Sequence, residues 1–308
     1  FVLHILQTAL ELGFLYALVP MALFLSFRVL DIADMTTDGC FVLGTAVSVT
    51  MAAAGHPFLA IPAAMAAGVC AGFVTAFLQT RLGVPSILAG IVTNMGLYTI
   101  NLMVMKWSAN VSLLKTATIF TLFQQTGIGG QWYEALLAGA VVILAGILLV
   151  LFLGTRLGLS IRATGDNIDM VRASSVNPTF TITVGLCVAN ALTALSGAMV
   201  GQYQNTADIN GGTGIVVIGL ACLIIGETVL GRKSVVKGAL AAVIGSIIYR
   251  FIYAIVLYTK IMPVQGLKLV TAVIVALAIA FPTIKNWVAF QQKKSARKKT
   301  YAAKGGRS

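Results

Sequence analysis

Long apolar runs separated by short polar joints organise this chain. Hydrophobic segments recur at roughly residues 8–29, 36–54, 58–79, 84–104, 133–153, 178–201, 213–229, 235–257 and 267–284. A helix crossing the hydrocarbon of a bilayer needs about 20 apolar residues, and most of these runs reach that length. The runs near 36–54 and 213–229 are short and carry glycine, which predicts helices that are broken or cross only part of the membrane. The expected fold is an all-α integral membrane protein of about nine segments.

One phrase occurs twice. "ADMTTDGCFVLGTAVSV" begins at Ala33 and "ADINGGTGIVVIGLACL" begins at Ala207. Each follows a long segment and leads into a short, glycine-bearing one. Alternating crossings put the first copy at the inner side and the second at the outer side. Opposed copies are the signature of inverted-topology repeats with discontinuous helices near a central path. The first repeat is expected over about 8–104 and the second over about 178–284. Asp34, Asp38, Gly39 and Gly44 in one copy, and Asp208, Gly211, Gly212 and Gly214 in the other, are the candidate hinge residues. Their glycines permit turns or close helix approach, and their polar side chains can satisfy freed peptide groups. The alternative for Asp34 and Asp208 is an ordinary turn at the membrane surface.

Composition supports the membrane reading. Mean hydropathy is +0.95, with 58% hydrophobic and 10% charged residues. A water-soluble surface takes roughly a quarter charged residues. The formal net charge of +12 suggests nucleic acid until its location is considered. Eight cations (Lys285, Lys293, Lys294, Arg297, Lys298, Lys299, Lys304, Arg307) lie in the tail 285–308, which has no acid. After an apolar segment, such a tail reads as a cytoplasmic anchor beside anionic lipid, not as a nucleic-acid site. The same rule puts Arg28, Arg81, Arg156, Arg162, Arg172, Arg232, Lys233 and Lys237 inside, and Lys106 and Lys115 in an outer loop. The N-terminus is then outside and the C-terminus cytoplasmic. His4, His56 and the scattered Cys40, Cys70, Cys187 and Cys222 form no metal motif.

The stretch "TRLGLSIRATGDNIDMVRASSVNP" from Thr155 to Pro178 is too polar to cross. Leu157, Leu159, Ile161, Ile168, Met170 and Val171 can face lipid or a protein groove, and Asn167 is placed to cap a short helix. Gly158, Arg162, Ala163, Gly165 and Asn167 resemble the cytoplasmic coupling loop of ABC-importer permeases of the branched-chain amino acid and ribose class. Gly226, Gly231, Gly238 and Gly245 in "GETVLGRKSVVKGALAAVIGSII" resemble a second glycine pattern of that family, with Glu227 in place of a small residue. The wording of "ADMTTDGCFVLG" is most similar to the tryptophan/tyrosine uptake permeases within it.

The resemblance implies that residues 155–177 form a coupling loop, with Asp166 and Arg172 joining the matched residues. It implies that this chain binds no cofactor and that ATP and Mg sit on a separate cytoplasmic ATPase dimer. It further implies a second permease copy or a homologous permease, an extracellular substrate-binding lipoprotein, and a bacterial plasma membrane. "GETVLGRKS" itself is no phosphate loop, since Arg232 separates its glycine from Lys233 and apolar segments flank it.

A substrate path for a small solute, an amino acid or an aromatic or heterocyclic compound, is expected to use small and neutral polar residues. Asn94, Tyr98, Asn101, Asn190 and Gln202 are the candidates, each of which could equally bond helix to helix. Apart from Asp38 and Glu134 at segment starts, Glu11 and Glu227 are the acids within segments. Glu11 is expected to reach water near an end, and Glu227 to be satisfied by Arg232, Lys233 or turn amides. The rival functions are an ion-coupled secondary transporter, which would also use inverted repeats, a membrane enzyme, for which no cluster of acid, base and nucleophile exists, and a membrane scaffold.

Overall fold

The computed structural model describes residues 2–113, 116–125, 127, 130–231, 234–258, 269, 272–277, 280 and 284. The chain divides into two units, Phe1–Thr259 and Lys260–Ser308, and the architecture below is that of the first. The predicted ninth segment lies largely outside the described residues, as do the basic tail, Arg232 and Lys233.

Eleven α-helices are described: α1 Val2–Leu23, α2 Thr37–Ala53, α3 Pro57–Thr80, α4 Ser86–Val104, α5 Ile119–Gln125, α6 Tyr133–Gly154, α7 Arg156–Asp166, α8 Ile168–Ala173, α9 Pro178–Gln204, α10 Ile215–Leu230 and α11 Val235–Tyr258. A π-helical turn, Phe24–Val29, continues α1. Six stretches are long and apolar enough to cross a membrane: His4–Val29, Pro57–Thr80, Ser86–Val104, Gly130–Gly154, Pro178–Gln204 and Val235–Tyr258. The two segments expected to be short are α2 and α10, so the described part holds eight apolar helices matching the first eight segments.

Local chemistry explains the helix limits. Pro57 and Pro178 occupy first-turn positions, where a missing N–H costs nothing. Asn177 Oδ1 accepts from Thr179 N at 3.0 Å to cap α9. Gly214 (φ +83°) and Gly231 (φ +81°) bracket α10 in conformations that side chains resist.

Helices α1 and α9 form the centre. About three quarters of their apolar windows are buried (72% and 78%), against about a third for α3, α4, α6 and α11. The peripheral helices expose large apolar side chains such as Ile143, Leu144 and Leu151, a surface suited to lipid. Centre helices run antiparallel, because Ser196 Oγ donates to Leu15 O at 2.8 Å while Gly185 packs on Leu30.

Helix α2 lies along α9 in the same direction: Cys40 Sγ donates to Asn190 O and Ser48 Oγ to Ala198 O. Their contact is backbone-close, since a Cβ on Gly44 would strike Ala194 and one on Gly197 would strike Phe41 O. Helix α10 lies along α1, with Gly219 against Val19 and Leu23, and Glu227 on Arg28. The two short helices α2 and α10 therefore point in opposite directions. The packing is exchanged between halves: α1 takes α10 and α11 as neighbours, and α9 takes α2 and α3.

A two-stranded antiparallel pair, β1 Asn110–Ser112 with β2 Thr206–Asp208, lies at the end of this unit near Tyr203. The opposite end carries Arg28, α7 and α8.

Candidate functional site

Both Ala-Asp copies fold into the same turn. Asp34 Oδ1 accepts from Thr36 N at 2.9 Å, and Asp208 Oδ1 accepts from Asn210 N at 2.9 Å. This is the local bond that lets an aspartate replace a backbone turn. Their surroundings differ. Asp34 is 1% exposed and its Oδ2 accepts from Asn190 Nδ2 at 2.8 Å. Asp208 is exposed, opposite Asn110 in the strand pair. Asp34 thus sits against the middle of α9, not in an exposed surface turn.

Residues 30–36 re-enter the interior without helical structure, and α2 starts there. From its first turn, Asp38 reaches across to α10. Its Oδ2 accepts from Gly214 N at 3.0 Å and its Oδ1 from Val216 N at 2.8 Å. A carboxylate at a helix N-terminus satisfies orphan donors and complements the positive end of the helix dipole. The two short helices are therefore joined head to head through one side chain. Gly212 permits the approach, because a Cβ there would strike Asp38 O. Gly211 meets only Asp208 O, at 3.1 Å, and serves the turn.

Beside this junction lies a cavity of about 400 Å³ lined by Asp38, Gly39, Asn94, Tyr98, Asn101, Asn210, Gly212 and Thr213, with Val42, Met95 and Ile209 as its apolar wall. Gly39 leaves room for Asn94, whose Oδ1 a Cβ would strike. Asn101 Nδ2 donates to Gly39 O at 3.1 Å, and its buried Oδ1 has no partner. Tyr98 is 51% exposed at the rim. An amide-rich cavity with an aromatic rim and the Asp38 carboxylate in its wall can hold a small polar solute by hydrogen bonds.

The cavity gathers three of the predicted path residues and leaves the others elsewhere. Asn190 is fully buried and bonds Asp34 and Leu186 O. Gln202 ties three elements: its Nε2 donates to Ser48 Oγ and Pro57 O, and its Oε1 accepts from Ile119 N. Glu227 lies at the opposite end, in a two-pronged pair with Arg28: Nε to Oε1 at 2.8 Å and Nη2 to Oε2 at 2.7 Å. One partner is thus supplied by the terminal turn of α1, while the expected partners Arg232 and Lys233 lie outside the described residues. Glu11 does not reach water as expected; it is 2% exposed, accepting from Gln7 Nε2 and Tyr203 OH.

The pairing of Glu227 makes a prediction. Glu227→Gln replaces one charge-assisted acceptor by a donor facing Arg28. Because Arg28 keeps 37% side-chain exposure, the cost is moderated by solvent, to about 1–2 kcal/mol. The unfolding midpoint in detergent should fall. A wild-type midpoint would make the pair incidental.

The Arg28 end holds the predicted coupling loop. Thr155 Oγ1 accepts from Gly158 N to start α7, and Asn167 Oδ1 accepts from Asp169 N and Met170 N to cap α8. Gly158 and Gly165 are packing positions: a Cβ would strike Phe152 O and Leu153 at the first, and Val29 O at the second. Thr164 Oγ1 and Thr181 Oγ1, 2.8 Å apart, fasten α7 to α9. Arg162 and Asp166 line a polar cavity of about 280 Å³ with Arg28, Glu227 and Ser234. Ala163 is half-buried and Arg172 exposed, 3.8 Å from Asp169. Of the six apolar loop residues, Ile161 and Val171 are buried while Leu157, Leu159, Ile168 and Met170 are exposed.

Among the described residues, no group of His, Cys, Asp or Glu could hold a metal ion. The four cysteines are free. Two residues escaped the sequence reading. The sequence pattern uses Arg28 only to set orientation. Arg250 was unnoticed, although an arginine inside an apolar run such as 235–257 is itself a signal.

Comparison with known proteins gives a consistent picture. Residues 5–282 match the family described as branched-chain amino acid transport system / permease component. A tyrosine transport system permease protein of Clostridioides difficile (strain R20291) is 31% identical over 86% of this chain and 86% of its own length. An uncharacterized protein of Rickettsia prowazekii (strain Madrid E) is 30% identical over 90% of this chain and 98% of its own length. No solved structure matches significantly.

Proposed function

The chain belongs to the branched-chain amino acid transport permease family, and from that premise we propose that it is the membrane subunit of an ATP-driven importer for an amino acid, with an aromatic amino acid such as tyrosine as the favoured solute. The observation that carries the proposal is the head-to-head meeting of α2 and α10 at Asp38 beside the amide-lined cavity. Shortened helices of 17 and 16 residues whose N-termini meet beside a polar cavity give a site that two halves of a protein can open alternately. The relative's name supplies the aromatic amino acid, and the Tyr98 ring with Met95 supplies a surface such a solute can stack on.

In this reading the two repeats, about 8–104 and 178–284, are related by a pseudo-two-fold axis in the membrane plane. Opposed α2 and α10, the shared aspartate turn and the exchanged neighbours of α1 and α9 support it. The Arg28 end is cytoplasmic. There α7 and α8 offer Leu157, Leu159, Ile168 and Met170 to an ATPase dimer, and α7 passes its movement to α1 through Gly165 on Val29. ATP and Mg stay on that partner. A second permease and an external binding lipoprotein complete the importer in a bacterial plasma membrane, with the C-terminus cytoplasmic.

Cysteine scanning tests the arrangement. Single cysteines at Leu159, Met170 and Arg172 should react with an impermeant thiol reagent only in inside-out vesicles and should crosslink to the ATPase. Labelling from outside, or no ATPase crosslink, rejects the coupling role. A second reading, ion-coupled transport, draws on Asp34, a buried carboxylate that meets Thr36 and Asn190 and no cation among the described residues. It requires uptake without ATP.

A further inference from the structure

Arg250 lies well inside α11, within a stretch long and apolar enough to cross a membrane. Its guanidinium stacks on the Tyr16 ring with Cζ 3.7 Å from the centroid, and Tyr253 lies at 6.0 Å. The side chain is half-buried, and its Nε is buried without a hydrogen-bond partner. A cation without a carboxylate partner inside a membrane span is costly. Stacking uses the face of the guanidinium and leaves its in-plane N–H fork, the edge that grips a carboxylate in two-pronged fashion.

The chain supplies no such carboxylate. Glu227 is the last acidic residue in the sequence, so every acid falls within the described residues. Asp34 is held by Asn190, Asp38 by the start of α10, Glu11 by Tyr203 and Glu227 by Arg28. The remaining acids lie in loops, in β2, in the short α8 or in terminal turns of α6 and α7. A second copy would bring the same acids, already engaged or at its ends. The cavity that Arg250 shares with Tyr16, Ser246 and Tyr249 is only about 10 Å³, so a ligand reaches the exposed part of the half-buried side chain and not its buried Nε.

We propose that Arg250, backed by Tyr16, is the intramembrane anchor for the carboxylate of the transported solute. The inference rests on the amino-acid reading above and adds a contact that the amide-lined cavity lacks. It predicts that the solute class is carboxylic acids, so that an amine lacking the carboxylate is refused.

The test uses the assembled transporter in nanodiscs, with labelled L-tyrosine and tyramine as probes in equilibrium binding, and L-tyrosine uptake in proteoliposomes. The wild type should retain L-tyrosine and not tyramine. Arg250→Gln should weaken L-tyrosine binding about tenfold or more and erase the discrimination. Arg250→Lys, which keeps the charge without the fork, should fall between, and it guards against simple misfolding. Undiminished tyrosine preference in Arg250→Gln would overturn the anchor alone. So would a variant that loses its second copy while each intact complex binds tyrosine normally. A wild type that binds neither probe would instead overturn the amino-acid reading on which the anchor rests.

Discussion

Replacing Asp38 by alanine is expected to lower stability by about 3 kcal/mol, through a lost helix cap and two amides left without acceptors. Both carboxylate oxygens are used, at 3.0 and 2.8 Å from Gly214 N and Val216 N. Alanine frees the first turn of α10 from α2 and opens the wall of the cavity. Asp38→Asn is the sharper probe. Its amide keeps one acceptor and turns an NH₂ group toward a backbone N–H, so it should recover only part of the loss. The unfolding midpoint in detergent and uptake per folded molecule report the two effects separately. Transport should fall further than stability alone requires, because the junction also aligns the two short helices. Wild-type transport in Asp38→Ala would remove the head-to-head junction from the mechanism.

Gly165→Val is expected to have an effect of similar size. Even a single added carbon would strike the Val29 carbonyl. A backbone cannot rotate away as a flexible side chain can, so α7 must shift off the end of α1 or the turn must distort, at about 3 kcal/mol. For a loop glycine whose sole part is coupling, the expectation is uncoupled ATP hydrolysis with folding nearly intact. The packing changes that expectation: Gly165→Val should lower both, whereas Arg162→Ala, on an exposed side chain beside the polar cavity, should reduce coupling with the unfolding midpoint preserved. The ratio of ATP hydrolysed to solute transported, measured with the unfolding midpoint, distinguishes the two. Equal behaviour of the variants would mean that α7 acts as a packed unit and Arg162 has no separate part in coupling.

Which features the sequence revealed follows from the range of the interactions behind them. Helices α2 and α10 were legible because a shortened apolar run with glycine is a local signal. The aspartate turns and the Asn167 cap were legible for the same reason, since each joins residues two or three positions apart. The Asp38 bond to α10 spans 176 residues and the Arg28 pair with Glu227 spans 199. No local pattern announces either; the neighbours of Glu227 that a sequence shows are Arg232 and Lys233, which lie outside the described residues. Asn94 and Asn190 are equally plausible solute contacts in a sequence. Only helix rotation separates the first, which faces the cavity, from the second, which faces Asp34. Glu11 shows the same limit: nearness to the end of an apolar segment does not imply nearness to water, because Gln7 and Tyr203 enclose it.

The central claim is that this permease moves its solute by ATP hydrolysis on a partner subunit. The direct measurement is uptake of labelled L-tyrosine by proteoliposomes containing the permease and its ATPase, with the binding lipoprotein outside and ATP inside. The account predicts uptake that needs hydrolysable ATP and the lipoprotein, and that persists when proton and sodium gradients are collapsed. Uptake by the permease alone under an imposed ion gradient, without the ATPase, would contradict it.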